Sequence, residues 1–349
     1  MHILINDFIG GALDRGIPLY VRNLIDGLRG EGLRVSVVRA PAFCRKLPRG
    51  VLYLIAVAVE QTLLPVIGLL LRADLTIYPY NSVAVIDLLT RRGRIVVHDL
   101  EQLNRPLSFS KLYYLACYRA VRWLSAPLFT ISDITAQRLT QCGLFGGGPV
   151  TLLPNTFYAF ERLAAAEAPE RSPSILLCTG STANKDLETV VDEYLPAVLA
   201  RGYRVSILGL HKADDMAKLQ PVAALMASGQ LQVCGRLSDA EVARAYRSHA
   251  VVWVHSLREG FGRCVVEGRL AGARVLATDI PEFAELRDGD VYLYKNPAGF
   301  FTGVARLTEM TGPATPYTGY PYRDLLHRAI ESAMRATGAP GARQSPQAI

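Results

Sequence analysis

The residues best suited to chemistry lie in the run Ser256-Leu257-Arg258-Glu259-Gly260-Phe261-Gly262-Arg263-Cys264-Val265-Val266-Glu267. A carboxylate, a glycine turn, a helix-like segment and a second carboxylate follow in order, directly after the apolar stretch Val251 to His255. If that stretch is a strand and a helix starts near Arg263, the N–H groups of Phe261, Gly262 and Arg263 are free at the helix N-terminus. There the helix dipole favours an anion such as a pyrophosphate. Glu267, about one turn into the helix, can accept hydrogen bonds from ribose hydroxyls. Glu259 precedes the turn and faces whatever is attached beyond the phosphates.

Other candidates are less specific. Asp7-Phe8-Ile9-Gly10-Gly11 follows the first apolar run, and its adjacent glycines let backbone approach a phosphate or sugar, although a plain strand-to-helix turn would look the same. No G-x-G-x-x-G is present, so the nicotinamide fingerprint is lacking. His98, before Asp99-Leu100, is either a core histidine or a site residue, and Lys185, in Gly180-Ser181-Thr182-Ala183-Asn184-Lys185, is either solvated or a phosphate ligand. Asp288-Gly289-Asp290 imitates a metal-binding D-x-D but sits in a turn-like context, which predicts a surface turn. The six histidines and six cysteines show neither H-E-x-x-H nor C-x-x-C spacing. No metal is expected, and the cysteines read as buried free thiols.

Elements to position these residues are legible as alternation. Candidate strands Ile3–Ile5, Arg34–Val38, Leu75–Tyr78, Arg94–His98, Leu128–Ser132 and Val150–Pro154 alternate with helical patterns such as Leu19–Leu28 and Leu112–Trp123. The segment 161–174, rich in Ala, Glu, Pro and Ser, reads as a linker. The alternation restarts with Ile175–Thr179, Arg204–Leu208, Leu231–Cys234, Val251–His255 and Arg274–Thr278, and Ser238 with Glu241 makes a capping box. Two doubly wound α/β domains are predicted, 1–160 and 175–315, then a helix within 316–335 and a disordered tail, 336–349.

A length of 349 residues suits two domains, and a composition half hydrophobic and one-fifth charged excludes disorder. The net charge of +7 is spread without basic runs, so nucleic acid is not an expected partner. The N-terminus turns polar at once, which with the cysteine usage points to the cytoplasm. Val51–Leu71 is long enough to cross a bilayer, but Glu60 and Gln61 fall at its centre and Pro65 interrupts it. A helix of the first domain is expected, with basic flanks that could rest on an anionic leaflet.

With these residues in place, the chain resembles the retaining glycosyltransferases of the GT-B fold, family four, in its mannosyltransferase-like members. Glu259 and Glu267 around E-G-F-G match that family's signature. Val233-Cys234-Gly235-Arg236-Leu237-Ser238-Asp239, Ala271 to Asp279, His98-Asp99-Leu100, Ile131 to Ile134, Leu153-Pro154-Asn155, Glu60 to Pro65 and Tyr78 to Asn81 match its other blocks in order. The resemblance implies two Rossmann-like domains facing across a cleft: an N-terminal acceptor domain, a C-terminal nucleotide-sugar domain and a crossover helix returning to the first. It implies metal-independent transfer of a hexose from a nucleotide sugar, GDP-mannose-like or UDP-linked, to a glycan or lipid-linked acceptor in surface polysaccharide assembly. A cytoplasmic enzyme at the inner face of the plasma membrane is the implied setting. Glu259 and His98 would be catalytic. Gly10, Gly11, Ser181, Lys185, Gly235, Arg236, Gly260, Phe261, Gly262, Arg263 and Glu267 would bind the donor, with no further cofactor. The sequence departs from the family in keeping only Lys185 of a phosphate-binding Arg and Lys, and in placing Arg263-Cys264 where Leu-Pro is usual. The rival readings are a sugar-nucleotide epimerase of the same fold and a non-catalytic nucleotide-sugar-binding protein.

Overall fold

The structure is a computed structural model that describes residues 1–10, 16–100, 103, 106–165, 171–211, 216–310 and 312–337. Gly11 and the tail from residue 338 onward lie outside the described residues. The chain divides into two compact units, one of residues 1–156 with the C-terminal segment from Tyr322, the other Phe157–Pro321.

The first unit holds β1 (His2–Asp7), β2 (Arg34–Arg39), β3 (Leu75–Tyr78), β4 (Gly93–Val97), β5 (Leu128–Thr130) and β6 (Val150–Leu152) in one parallel sheet of order 2-1-3-4-5-6. All six residues of β1 are buried, the apolar Ile3–Ile5 and the polar His2, Asn6 and Asp7 at its ends alike, as a central strand of a parallel sheet requires. The helix Tyr322–Thr337 packs on β6, where Ser332 meets Thr151 at 3.3 Å, and it buries Leu326, Ala329, Ile330 and Ala333.

The second unit repeats the plan with β7 (Ser172–Cys178), β8 (Arg204–Leu208), β9 (Leu231–Val233), β10 (His249–Val254), β11 (Arg274–Thr278) and β12 (Val291–Tyr294), in the parallel order 12-11-10-7-8-9. Ile175, Leu177, Tyr194, Trp253, Leu276 and Phe300 fill its core. In both sheets the chain winds outward first to one side and then to the other. The neighbouring strands β1 and β3, and β7 and β10, are therefore the topological switch points, beside which loops diverge and ligands bind.

Three expectations need correction. The segment 161–174 is not a linker throughout: the helix Tyr158–Ala164 runs into it and β7 begins at Ser172, because Phe160 is buried against Tyr246 of the same unit. Asp288-Gly289-Asp290 is not a surface turn. Asp290 is 2% exposed, and both carboxylates pair with Arg269, whose side chain is wholly buried. A buried guanidinium must be paired, and the turn supplies its partners. The thiols are not uniformly buried either, since Cys142 is exposed.

The apolar segment after β2 forms the helix Arg49–Ala58, a π-turn Val59–Leu63 and the helix Leu64–Leu70. Gly50–Leu70 is long and apolar enough to cross a membrane, and only 22% of its most apolar stretch is buried inside the protein. Its polar centre has protein partners. The π-turn carries Glu60 inward, where Oε2 accepts from Asn6 Nδ2 at 2.7 Å and Ser82 Oγ at 2.9 Å, and Oε1 accepts from the Tyr113 hydroxyl at 2.6 Å. Gln61 donates to the Val83 carbonyl at 2.9 Å. Val51, Leu54, Leu63, Val66, Leu69 and Leu70 remain exposed.

Burial pushes the Glu60 carboxyl up to about 7, against the lowering effect of its three hydrogen bonds. A carboxyl whose folded value lies above its unfolded one contributes stability that is complete below the unfolded value and lost as pH rises through the folded one. Glu60 should therefore favour the native state by about 3 kcal/mol at pH 4 and lose this by pH 8. The stability advantage of the parent over Glu60→Gln, from urea unfolding, should shrink between pH 5 and 8, and a constant difference would contradict the buried-acid account.

Candidate functional site

The site in the second unit is built on the β7–β10 switch point. The two strands are parallel neighbours with Cys178 beside Val254, so the loops that follow them leave the same end of the sheet. These loops are joined: the Asn184 carbonyl accepts from Leu257 N and from Ser256 Oγ, each at 2.8 Å, and Asn184 Nδ2 donates to the Arg258 carbonyl at 3.1 Å. The Thr278 hydroxyl, at the end of β11, donates to the Ser256 carbonyl at 2.7 Å.

That joining brings Lys185 onto Glu259. The ammonium donates to Glu259 Oε1, and the two side chains are only 19% and 17% exposed. Burial alone would lower the lysine's value, but the Glu259 carboxylate outweighs it and the ammonium is held above its usual range. The ammonium is thus charged at neutral pH.

The glycine turn follows. Gly262 has φ of +107°, and a Cβ there would lie 2.8 Å from the Phe283 ring, so only glycine fits. It caps the helix Arg263–Leu270 without any side-chain hydrogen bond. Anion-binding N–H groups remain at this end. One turn on, Glu267 Oε1 accepts from Arg263 Nη2 at 2.8 Å, and the same guanidinium lies 4.6 Å above the Phe157 ring. The expected ribose acceptor is thus already paired, and the i, i+4 spacing of Arg263 and Glu267 could have revealed it.

A relay absent from the sequence reading stands behind Lys185. Asp186 is left-handed, with φ of +43°, and its carboxylate is 3.6 Å from His255 Nε2. The Tyr294 hydroxyl accepts from Trp253 Nε1 at 2.9 Å and lies 2.6 Å from His255 Nδ1. Burial lowers the imidazole's value and keeps it neutral.

The remaining donor candidates scatter. Ser181 follows β7, and its carbonyl accepts from Lys218 Nζ at 3.2 Å; it lines a cavity of about 680 Å³ with Thr182, Asp186, Glu188, Asp192 and Lys218. No residue of the Glu259–Glu267 run lines that cavity. Gly235, with φ of +68°, and Arg236 lie in the loop after β9. Gly260 precedes Phe261, which is buried against Tyr320 at a ring separation of 4.7 Å.

His98 and Gly10 belong to the first unit. His98 directly follows β4, is 6% exposed, donates from Nε2 to the Pro79 carbonyl at 2.9 Å and meets Tyr20 edge to face. Burial lowers it to about 4, so it is neutral at physiological pH. A Cβ on Gly10 would strike Asp7 Oδ1 at 2.0 Å and the Tyr80 hydroxyl at 2.6 Å. Asp7 accepts from Tyr80 at 2.7 Å and from Arg39 at 2.8 Å. Among the described residues, no three His, Cys, Asp or Glu gather as a metal site.

Comparison with known proteins now bears on this geometry. Residues 173–310 match the family model for glycosyl transferases group 1. That match lies within the second unit. No curated protein matches the sequence. Among solved structures, a glycosyltransferase from Rickettsia africae ESF-5 is similar with a TM-score of 0.64 at 14% identity, covering 97% of this chain and 99% of that one. The catalytic domain of starch synthase IV from Arabidopsis thaliana, bound to ADP and acarbose, gives 0.64 at 12% identity with the same coverage of 97% and 99%. UDP-GlcNAc 2-epimerase from Methanocaldococcus jannaschii gives 0.57 at 11% identity, covering 94% of this chain and 98% of that one. At such identities the likeness establishes the fold, the GT-B class with two Rossmann-like units. The Lys185–Glu259 pair and the glycine turn lie inside the matched residues.

Proposed function

We propose that this glycosyltransferase moves a hexose from a nucleotide sugar, GDP-mannose in preference to a UDP-sugar, to a glycan or lipid-linked acceptor in surface polysaccharide assembly, with retention at the anomeric carbon and without a metal. The observation that carries this reading is the partly buried Lys185–Glu259 pair beside the Gly260–Arg263 turn, at the switch point of the unit that matches the group 1 model. Lys185 and the N–H groups of the turn supply fixed positive potential for a departing diphosphate, as a cation would. Glu259 holds donor sugar hydroxyls, Glu267 the ribose, and retention follows from the family resemblance. His98, being neutral, can act only as a hydrogen-bond donor or acceptor.

The first unit is proposed to bind the acceptor. At its own switch point Asn6, Glu60, Ser82 and Tyr113 make a satisfied polar floor, lined beyond by Tyr53, Tyr80 and Tyr114. Tyrosine rings and a carboxylate network suit a hydroxylated ring. The exposed apolar side of Gly50–Leu70 supports contact with the cytoplasmic leaflet, reinforced by Arg72. Release from membranes by high salt is the expected fractionation result, whereas a detergent requirement would support an integral segment.

A thermal-shift screen of GDP, UDP, ADP and dTDP tests the donor assignment, because a bound nucleotide raises the melting temperature by mass action. Failure of all four would favour a non-catalytic protein. The epimerase reading shares the fold, and incubation with donor alone separates the two: an epimerised nucleotide sugar would displace transfer. Lys185→Ala should weaken nucleotide-diphosphate binding by about 1.5 to 3 kcal/mol and leave nucleoside binding nearly unchanged in calorimetry. Equal losses would remove Lys185 from the phosphates.

A further inference from the structure

Lys185 is held from both sides. Asn184, before it, is tied to the loop after β10 by the three hydrogen bonds described above, and Asp186, after it, faces His255, the first residue of that loop. Asp186 stands at the start of the helical run 187–200, where an aspartate ordinarily caps the helix with its carboxylate, yet it makes no side-chain cap hydrogen bond. It is also left-handed, with φ of +43° and ψ of +49°, a conformation that costs a side chain more than it costs glycine. The carboxylate is turned to His255 Nε2 instead, 3.6 Å away.

His255 is itself fixed. It is 4% exposed, its Nδ1 lies 2.6 Å from the Tyr294 hydroxyl, and its ring meets Tyr194 of the same helical run at a centroid separation of 5.4 Å. Nε2 is buried and makes no hydrogen bond, which leaves the Asp186 carboxylate as its counterpart. The groups that face this imidazole are Asp186 and Lys185 from the loop after β7, Tyr294 from β12 and Tyr194.

We propose that Asp186 and His255 are positioning residues for the ammonium that receives the diphosphate: the carboxylate, anchored on His255, holds residue 186 left-handed and so keeps the Lys185 side chain directed at Glu259 and the glycine turn. The role toward the diphosphate rests on the donor reading above; the pairing of Asp186 with His255 does not.

The attraction between carboxylate and imidazole offsets the backbone strain at residue 186. Without that anchor the residue gains by returning to the right-handed region, and the turn 183–185 then meets the helix in a different direction and carries Lys185 off Glu259. The electrostatics agree with this placement: Asp186 raises the imidazole's value against the lowering by burial, and Lys185 lowers it.

The test uses the full-length chain and Asp186→Gly, because glycine accepts the left-handed backbone but lacks the carboxylate. A melting temperature that holds or rises is expected, while GDP and UDP affinities in calorimetry fall about tenfold and guanosine and uridine affinities stay unchanged. Asp186→Asn keeps an acceptor and tolerates the left-handed region, and it should restore most of the affinity. His255→Leu should show the same diphosphate-specific loss, and the double variant with Asp186→Gly no more than either alone, as for two residues acting as one unit. Imidazole titration followed by NMR checks the geometry without any nucleotide: Asp186→Gly should lower the His255 value and Lys185→Met should raise it. A titration unmoved by Asp186→Gly would overturn the pair. A shifted titration with unchanged GDP and UDP affinity would overturn its role toward Lys185. If the unaltered chain binds neither nucleotide while the titrations shift as expected, the pair stands, and the donor reading falls together with the positioning role.

Discussion

Replacing Glu259 by Ala is expected to lower turnover with the nucleotide sugar about a hundredfold or more, equivalent to about 2.7 kcal/mol of barrier. In the proposed donor site the carboxylate stands immediately before a turn whose amides would serve the diphosphate, which puts its partners on the sugar side. Hydrogen bonds to an ionised carboxylate are strong, and those that tighten as positive charge develops at the anomeric carbon accelerate the chemical step. Its pairing with Lys185 adds a second expectation. Removing Glu259 frees the ammonium for the diphosphate, so nucleotide-diphosphate affinity should hold or tighten while turnover collapses. Steady-state kinetics beside calorimetry separates the two effects. Near-normal turnover with weakened nucleotide binding would mean that the donor lies the other way round.

The largest loss of stability is expected at Arg269, remote from the reacting groups. Its guanidinium donates to Asp288 at 2.9 and 3.1 Å, to Asp290 at 3.3 Å, and to the carbonyls of Ala273 and Thr315 at 2.8 and 2.7 Å. Arg269→Ala leaves two carboxylates without their buried partner, a change that costs about 3 to 5 kcal/mol. For a unit of this size that lowers the melting temperature by about 10 °C. Replacing Arg269, Asp288 and Asp290 together by apolar residues of similar volume should recover most of the loss, since the penalty comes from stranded charge rather than from the lost attraction. Calorimetry of the single and triple variants checks both statements. An unaltered melting temperature in Arg269→Ala would show that the pair contributes nothing net.

The apolar runs of β1 to β11, though not that of β12, and the capping box at Ser238 and Glu241 were legible because burial and local hydrogen bonding act over a few residues. The capping box forms with both hydrogen bonds in place. The glycine turn was legible for the same reason: φ of +107° at Gly262 excludes every side chain. Charges were not. Asp288 and Asp290 read as a solvated turn because nothing in their neighbours announces a buried Arg269 about twenty residues earlier. Glu60 read as an obstacle to a membrane span, whereas a π-turn carries it into a polar network with Asn6, Ser82 and Tyr113.

The sequence by itself determined where each strand, turn and carboxylate falls, since those depend on backbone sterics and on periods of two and about 3.6 residues. Only the tertiary structure decided which loops share an end of a sheet. Placing β7 next to β10, and not next to β9, sets Lys185 on Glu259, 74 positions apart in the chain. Strand order is fixed by how whole helices and sheet faces pack, a balance over the full core that no local spacing records.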